Sequence, residues 1–162
     1  MKSWRSSACS GLLALLASVS HAATTVNCTV SASGIAFGIY NPLSAVANAS
    51  TGSLRITCNG SGTGSANVTV NVSLSTGLSG SYAARKMFSG VNKLNYNIFW
   101  STAYNQIVGD GSGGSFAGGA GPFPVPAGGS NSATGTLYGL IPTLQDVAPG
   151  SYSDVITVTV TY

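Results

Sequence analysis

From residue 25 onward, apolar residues recur at every second position between hydroxyl and amide residues, the period that a β-strand with one buried face imposes. Val26, Cys28 and Val30 alternate with Thr25, Asn27 and Thr29. Leu54, Ile56 and Cys58 alternate with Ser53, Arg55 and Thr57, and Val68, Val70, Val72 and Leu74 with Thr69, Asn71 and Ser73. Leu94, Tyr96, Ile98 and Trp100 share one parity, a further β run covers residues 135–141, and residues 153–162 end the chain. In that last run Ile156, Val158, Val160 and Tyr162 face one way, and Thr157, Thr159 and Thr161 the other. No helical period competes, and the runs are punctuated by Gly, Ser, Asn and Pro, so the pattern predicts an all-β antiparallel sandwich.

Charge narrows the function. Charged residues make up only 6% of the 162-residue chain, which suits one globular domain and leaves little for helices built on ion pairs. The first 22 residues read as a secretory signal peptide: Lys2 and Arg5 precede a short apolar run over 12–19, and Ser20-His21-Ala22 has the small-x-small cleavage pattern. That apolar run is too short to span a bilayer, so the expectation is a soluble exported domain over residues 23–162. In that domain Arg55, Arg85, Lys86 and Lys93 oppose Asp110, Asp146 and Asp154, a net charge of +1. Four scattered cations cannot form the phosphate-neutralising stripe of a nucleic-acid binder.

Removing the leader also removes His21, the only histidine, and the chain has no Glu. The usual general base and the commonest zinc ligand are then missing, which argues against an enzyme, a metal site, a cofactor or a small-molecule substrate. Abundant serine without His or Glu reads as a solvated β surface rather than a set of nucleophiles. Cys28 and Cys58 share the apolar parity of their strands, and in an oxidising compartment that predicts a disulfide, two buried free thiols being the alternative.

Two segments interrupt the pattern. Residues 60–65 (GSGTGS) read as a short turn or hairpin loop, and residues 109–130 as a long Gly/Pro-rich loop. Neither has the Lys and hydroxyl of a phosphate loop, nor the flanking strand and helix of a dinucleotide fingerprint. Asp110 lies among glycines, but one carboxylate is too few for a calcium shell. Trp100, Tyr104, Phe116 and Phe123 could make a carbohydrate platform, although the parity of Trp100 places it in the core and Phe123 sits between two prolines.

Five short runs carry a family resemblance. They are Cys28-Thr29-Val30 through Phe37-Gly38-Ile39-Tyr40-Asn41-Pro42, Leu54-Arg55-Ile56-Thr57-Cys58, Leu94-Asn95-Tyr96-Asn97-Ile98-Phe99, Leu137-Tyr138-Gly139-Leu140-Ile141-Pro142, and Gly150-Ser151-Tyr152-Ser153-Asp154. In this order they resemble the spore coat protein U domain, shared by bacterial spore coat proteins and subunits of archaic chaperone-usher pili. The resemblance implies an immunoglobulin-like sandwich that lacks its last strand and is completed by a strand from another chain. It implies as partners a periplasmic chaperone, an outer-membrane usher and other subunits joined by β-strand addition, with transit through the periplasm to a pilus or coat at the cell surface. By the same resemblance Ile156, Val158, Val160 and Tyr162 line the groove, and the carboxylate of Tyr162 anchors the chaperone. Pilus subunits of this family carry a donor extension ahead of the first cysteine, whereas cleavage after Ala22 leaves residues 23–27, which belong to the first strand. The expectation is therefore a non-enzymatic structural subunit that accepts a strand without giving one, as at a pilus tip, with a role in adhesion or biofilm formation. A spore or cyst coat protein, or an adhesin binding a glycan or surface through residues 109–130, is the alternative.

Overall fold

Long alternating runs become long strands here because each has a neighbour on which to place its apolar face. The computed structural model describes residues 23–162, and the leader expected over residues 1–22 lies outside them. The strands are β1 (Thr25–Ser33), β2 (Asn48–Ser61), β3 (Ser65–Leu74), β4 (Lys86–Ser89), β5 (Asn92–Asn95), β6 (Asn97–Phe99), β7 (Gly118–Pro126), β8 (Ser130–Ile141) and β9 (Val158–Thr161). They form a four-stranded sheet in the order β1-β2-β8-β6, a three-stranded sheet in the order β7-β3-β9, and the β4-β5 hairpin. All strand pairings are antiparallel.

The core fills the space between the two larger sheets. Leu54, Ile56 and Cys58 of β2 and Leu137 and Ile141 of β8 face Val68, Val70, Val72 and Leu74 of β3 and Val125 of β7, all of them buried. Cys28 and Cys58 stand opposite each other in the β1-β2 ladder and form a disulfide. It closes a sequence separation of 30 residues, worth about 3–4 kcal/mol on the chain-entropy account.

Several segments depart from the expected pattern. Residues 60–65 do not join a hairpin: β2 and β3 belong to different sheets, so the turn carries the chain from one layer to the other. The long stretch over 109–130 is not all loop, because it contains β7, paired to β3 with an irregularity between Val68 and Val70. Its prolines are tolerated because β7 is an edge strand, whose outer side forms no ladder. Phe99, of outward parity, is buried where residues 101–116 return across β6 through the Phe99–Ile107 bridge and the Val108 N–H to Ile98 carbonyl bond at 2.8 Å, and Asn97 is buried against Arg85 and the Tyr82 carbonyl. The regular part of the last run is short: only β9 is ladder, and residues 153–157 are held outside it by Ser153 to Phe88, Asp154 to Leu78 and Tyr96, and Thr157 to Ser75.

Candidate functional site

The sandwich is open along one side. β1 pairs only with β2 and β9 only with β3, so each leaves one backbone edge free. Between them lie two adjoining cavities of about 400 and 760 Å³ that share Ile35, Phe37, Met87 and Tyr152 and together make one groove. One wall comes from residues within 32–42 and the other from residues within 147–158. The floor of the smaller cavity reaches Leu54, Leu74, Ile98 and Leu137, core side chains of both sheets, so the groove runs into the middle of the sandwich.

The first wall follows β1 and is built without a ladder. Among the described residues, no backbone-to-backbone hydrogen bond joins residues 34–40 to a sheet. Side chains of β2 hold this segment instead. Ser50 Oγ donates to the Ala36 carbonyl at 2.7 Å, and Asn48 Nδ2 donates to the carbonyls of Phe37 and Ile39, both at 3.1 Å. Farther on, the Tyr40 hydroxyl donates to the Pro142 carbonyl at 3.1 Å and accepts from the Gln145 N–H at 2.8 Å. Ile35 and Phe37 rest on two strand glycines. A Cβ on Gly139 would stand 2.6 Å from Phe37 and 2.7 Å from Ile35, and one on Gly52 would stand 2.9 Å from Ile35. A side chain at either position would push the wall out of its seat.

The second wall is fastened by Asp154. Its Oδ1 accepts the N–H groups of Leu78 at 2.9 Å and Val155 at 2.8 Å, and its Oδ2 accepts the Tyr96 hydroxyl at 2.8 Å. Ser153 exchanges both backbone bonds with Phe88, and Thr157 is tied to Ser75 by its N–H and its carbonyl. Burial, with the carboxylate of Asp154 beside it, pushes the Tyr96 phenol well above its ordinary range.

Behind this wall lies Arg85, fully buried. Its guanidinium donates to Asn97 Oδ1 at 3.0 Å and to the carbonyls of Ser75 and Val108, each at 2.7 Å, and its carbon sits 5.2 Å from the centre of the Tyr82 ring. Burial lowers its pKa from the ordinary arginine value, with Tyr96, Tyr82 and Asp154 opposing the shift. The arrangement ties Asn97 and residues 75 and 108 together behind the groove, and Arg85 lines neither cavity. Among the described residues no three His, Cys, Asp or Glu side chains come together as a metal site.

The profile of the Spore Coat Protein U domain matches residues 13–159. The chain belongs to that family. Among solved structures, a chain in the crystal structure of the CsuC–CsuE chaperone–tip adhesion subunit pre-assembly complex, from the archaic chaperone-usher Csu pili of Acinetobacter baumannii, shares the fold with a TM-score of 0.55 and 22% identity. The match covers 85% of the present chain and 40% of that one, so the spore coat protein U domain described here spans less than half the length of its structural neighbour. No curated protein matches it significantly.

Within this spore coat protein U domain, Ile156 and Val158 line the smaller cavity and Val160 is half-buried against the core. Tyr162 is 56% exposed and lines neither cavity. Trp100 packs against the core, and its Nε1 donates to the Phe116 carbonyl at 3.0 Å. Phe123 is half-buried on the core, Tyr104 stacks edge-on against Phe99 and only Phe116 of the four aromatics is strongly exposed, so they make no shared platform. Of the four residues that the family resemblance implied for the groove, Ile156 and Val158 line a cavity and Val160 and Tyr162 do not, and the opposite wall was not expected. The available signal was a glycine inside each of two otherwise alternating strands, Gly52 and Gly139, which marks a close approach by another segment.

Proposed function

We propose that this protein is a non-enzymatic structural subunit of a surface assembly, most simply an archaic chaperone-usher pilus, and that the groove between residues 32–42 and 147–158 receives a β-strand from another chain. The observation that carries this reading is the groove itself. It has aliphatic and aromatic side chains with a few polar groups on its walls, reaches the core, and at its inner end adjoins two strands that each leave one edge unpaired. Such an edge templates pairing with another strand, and a partner that adds one gains backbone hydrogen bonds while its alternate side chains fill the pockets. Membership in the spore coat protein U family supports the choice of assembly. On this reading residues 1–22 are a signal peptide, residues 23–162 are the exported domain, and the route leads through the periplasm to the cell surface. A periplasmic chaperone covers the groove in transit, an outer-membrane usher passes the subunit on, and a neighbouring subunit takes the chaperone's place. A tip or accessory position, and a part in adhesion or biofilm formation, complete the proposal. It is supported by β1, which commits residues from Thr25 onward to β2 and leaves them unavailable to a neighbour.

The test is thermal unfolding of the exported domain with a synthetic peptide of about twelve residues alternating Ile or Val with Thr or Ser, long enough to follow the groove. The expected result is a rise in Tm that grows with peptide concentration, since a ligand bound only by the folded state stabilises it. A scrambled peptide without the alternation should have no effect. Equal behaviour of the two peptides would overturn the reading.

A further inference from the structure

An incoming strand needs two walls at a fixed separation, and the two walls differ in how they are held. The one over residues 147–158 is tied by backbone bonds at Ser153 and Thr157 and by the Asp154 carboxylate. The opposite one, over residues 34–40, is tied to β2 through side chains alone. Asn48 is central to that attachment, because one amide nitrogen donates at 3.1 Å to the carbonyls of both Phe37 and Ile39. Ile39 is 95% exposed, so no packing of its own side chain holds this end of the wall. Phe37 borders both cavities.

We propose that Asn48 is a positioning residue for strand acceptance: it holds residues 37–39 against β2 so that the incoming strand meets a preformed wall. The inference rests on the strand-acceptor reading above and goes further, assigning the placement of residues 37–39 of the wall to one side chain that lines neither cavity. Without the amide donor, Phe37 and Ile39 lose their attachment to β2. Binding must then order the wall as well as the strand, and that ordering is subtracted from affinity.

The experiment compares peptide affinity, by titration with the alternating peptide named above, for the wild-type domain, Asn48→Asp and Asn131→Asp. Asn48→Asp keeps the shape and replaces the donor by a carboxylate oxygen that faces two carbonyls. Asn131→Asp is the control. It removes a comparable bond, from Asn131 Nδ2 to the Pro124 carbonyl at 2.9 Å, at a site that lines neither cavity. The expected result is binding weakened about tenfold or more by Asn48→Asp, equivalent to about 1.4 kcal/mol, and unchanged within about twofold by Asn131→Asp. Backbone order parameters of residues 37–39 should fall in Asn48→Asp alone. If Asn48→Asp is not recovered folded, Asn48→Ala is read the same way. Equal affinity of the Asn48 and Asn131 variants would overturn the positioning role and leave strand acceptance standing. Absence of binding by the wild-type domain would overturn both.

Discussion

Arg85 and Tyr96 show how much of this domain depends on single polar side chains in apolar surroundings. The Arg85 guanidinium serves three acceptors through its two terminal nitrogens, and its Nε is the one buried side-chain polar atom without a partner among the described residues. A lysine would keep the charge but could not fork to the same acceptors. Arg85→Lys should therefore lower stability by about 2–3 kcal/mol, read as a lower urea midpoint at unchanged slope. Tyr96 makes a prediction in pH. Burial and Asp154 raise its folded-state pKa above the ordinary value of 10.0, so the folded state holds the phenolic proton more tightly than the unfolded chain does. The stabilisation is complete below pH 10 and is lost as pH rises from there towards the folded-state value. Tyr96→Phe should be less stable than wild type at pH 8, and the difference should shrink in melts recorded from pH 10 upward. A difference that stayed constant with pH would mean that the phenol does not carry it.

At the scale of elements, the molecule contrasts strands that are paired on both sides with strands that are not. β2 lies between β1 and β8, and its inward residues Leu54, Ile56 and Cys58 are buried; β1 has one partner, and Val30, of inward parity, is 40% exposed. β9 is the counterpart in the other sheet, attached to β3 alone, with Val158 opposite Leu74 and bordering the groove. Alternation is strict there, so two adjacent substitutions separate the faces. Val158→Asp would place a carboxylate among Leu74, Ile98 and Leu137 with no cation to meet it, costing about 3 kcal/mol or more. Thr157→Asp, on the exposed face, should cost less than about 1 kcal/mol, since Thr157 meets Ser75 through its backbone. Soluble yield and denaturant midpoints distinguish the two. Equal losses would mean that the face assigned to β9 is wrong.

At the scale of the whole molecule, the proposed strand-acceptor role, with residues 25–33 already paired to β2, implies acceptance without donation. Residues 23–162 alone should give no ordered homopolymeric fibres by electron microscopy, whereas regular fibres would show that they supply a strand as well. The sequence by itself determined the all-β class and the inward face of the runs over 54–58 and 68–74, because period-two alternation decides which side of a strand leaves water without reference to any partner, and it put Cys28 and Cys58 on the apolar parity of their strands. The runs around Phe37, Leu137 and Tyr152 carried the family for the same reason, being local in the chain. Only the tertiary structure decided which strands are neighbours, that residues 109–130 contain β7, that Asn97 and Phe99 are covered, and that residues 34–40 form a groove wall seated on Gly52 and Gly139. Those features depend on what lies across a gap from a residue rather than beside it in the chain. A glycine in a strand says that something approaches closely, but not which segment does so. Ile35 and Phe37 meet Gly139 across about a hundred residues of sequence, and only the folded layers bring them together.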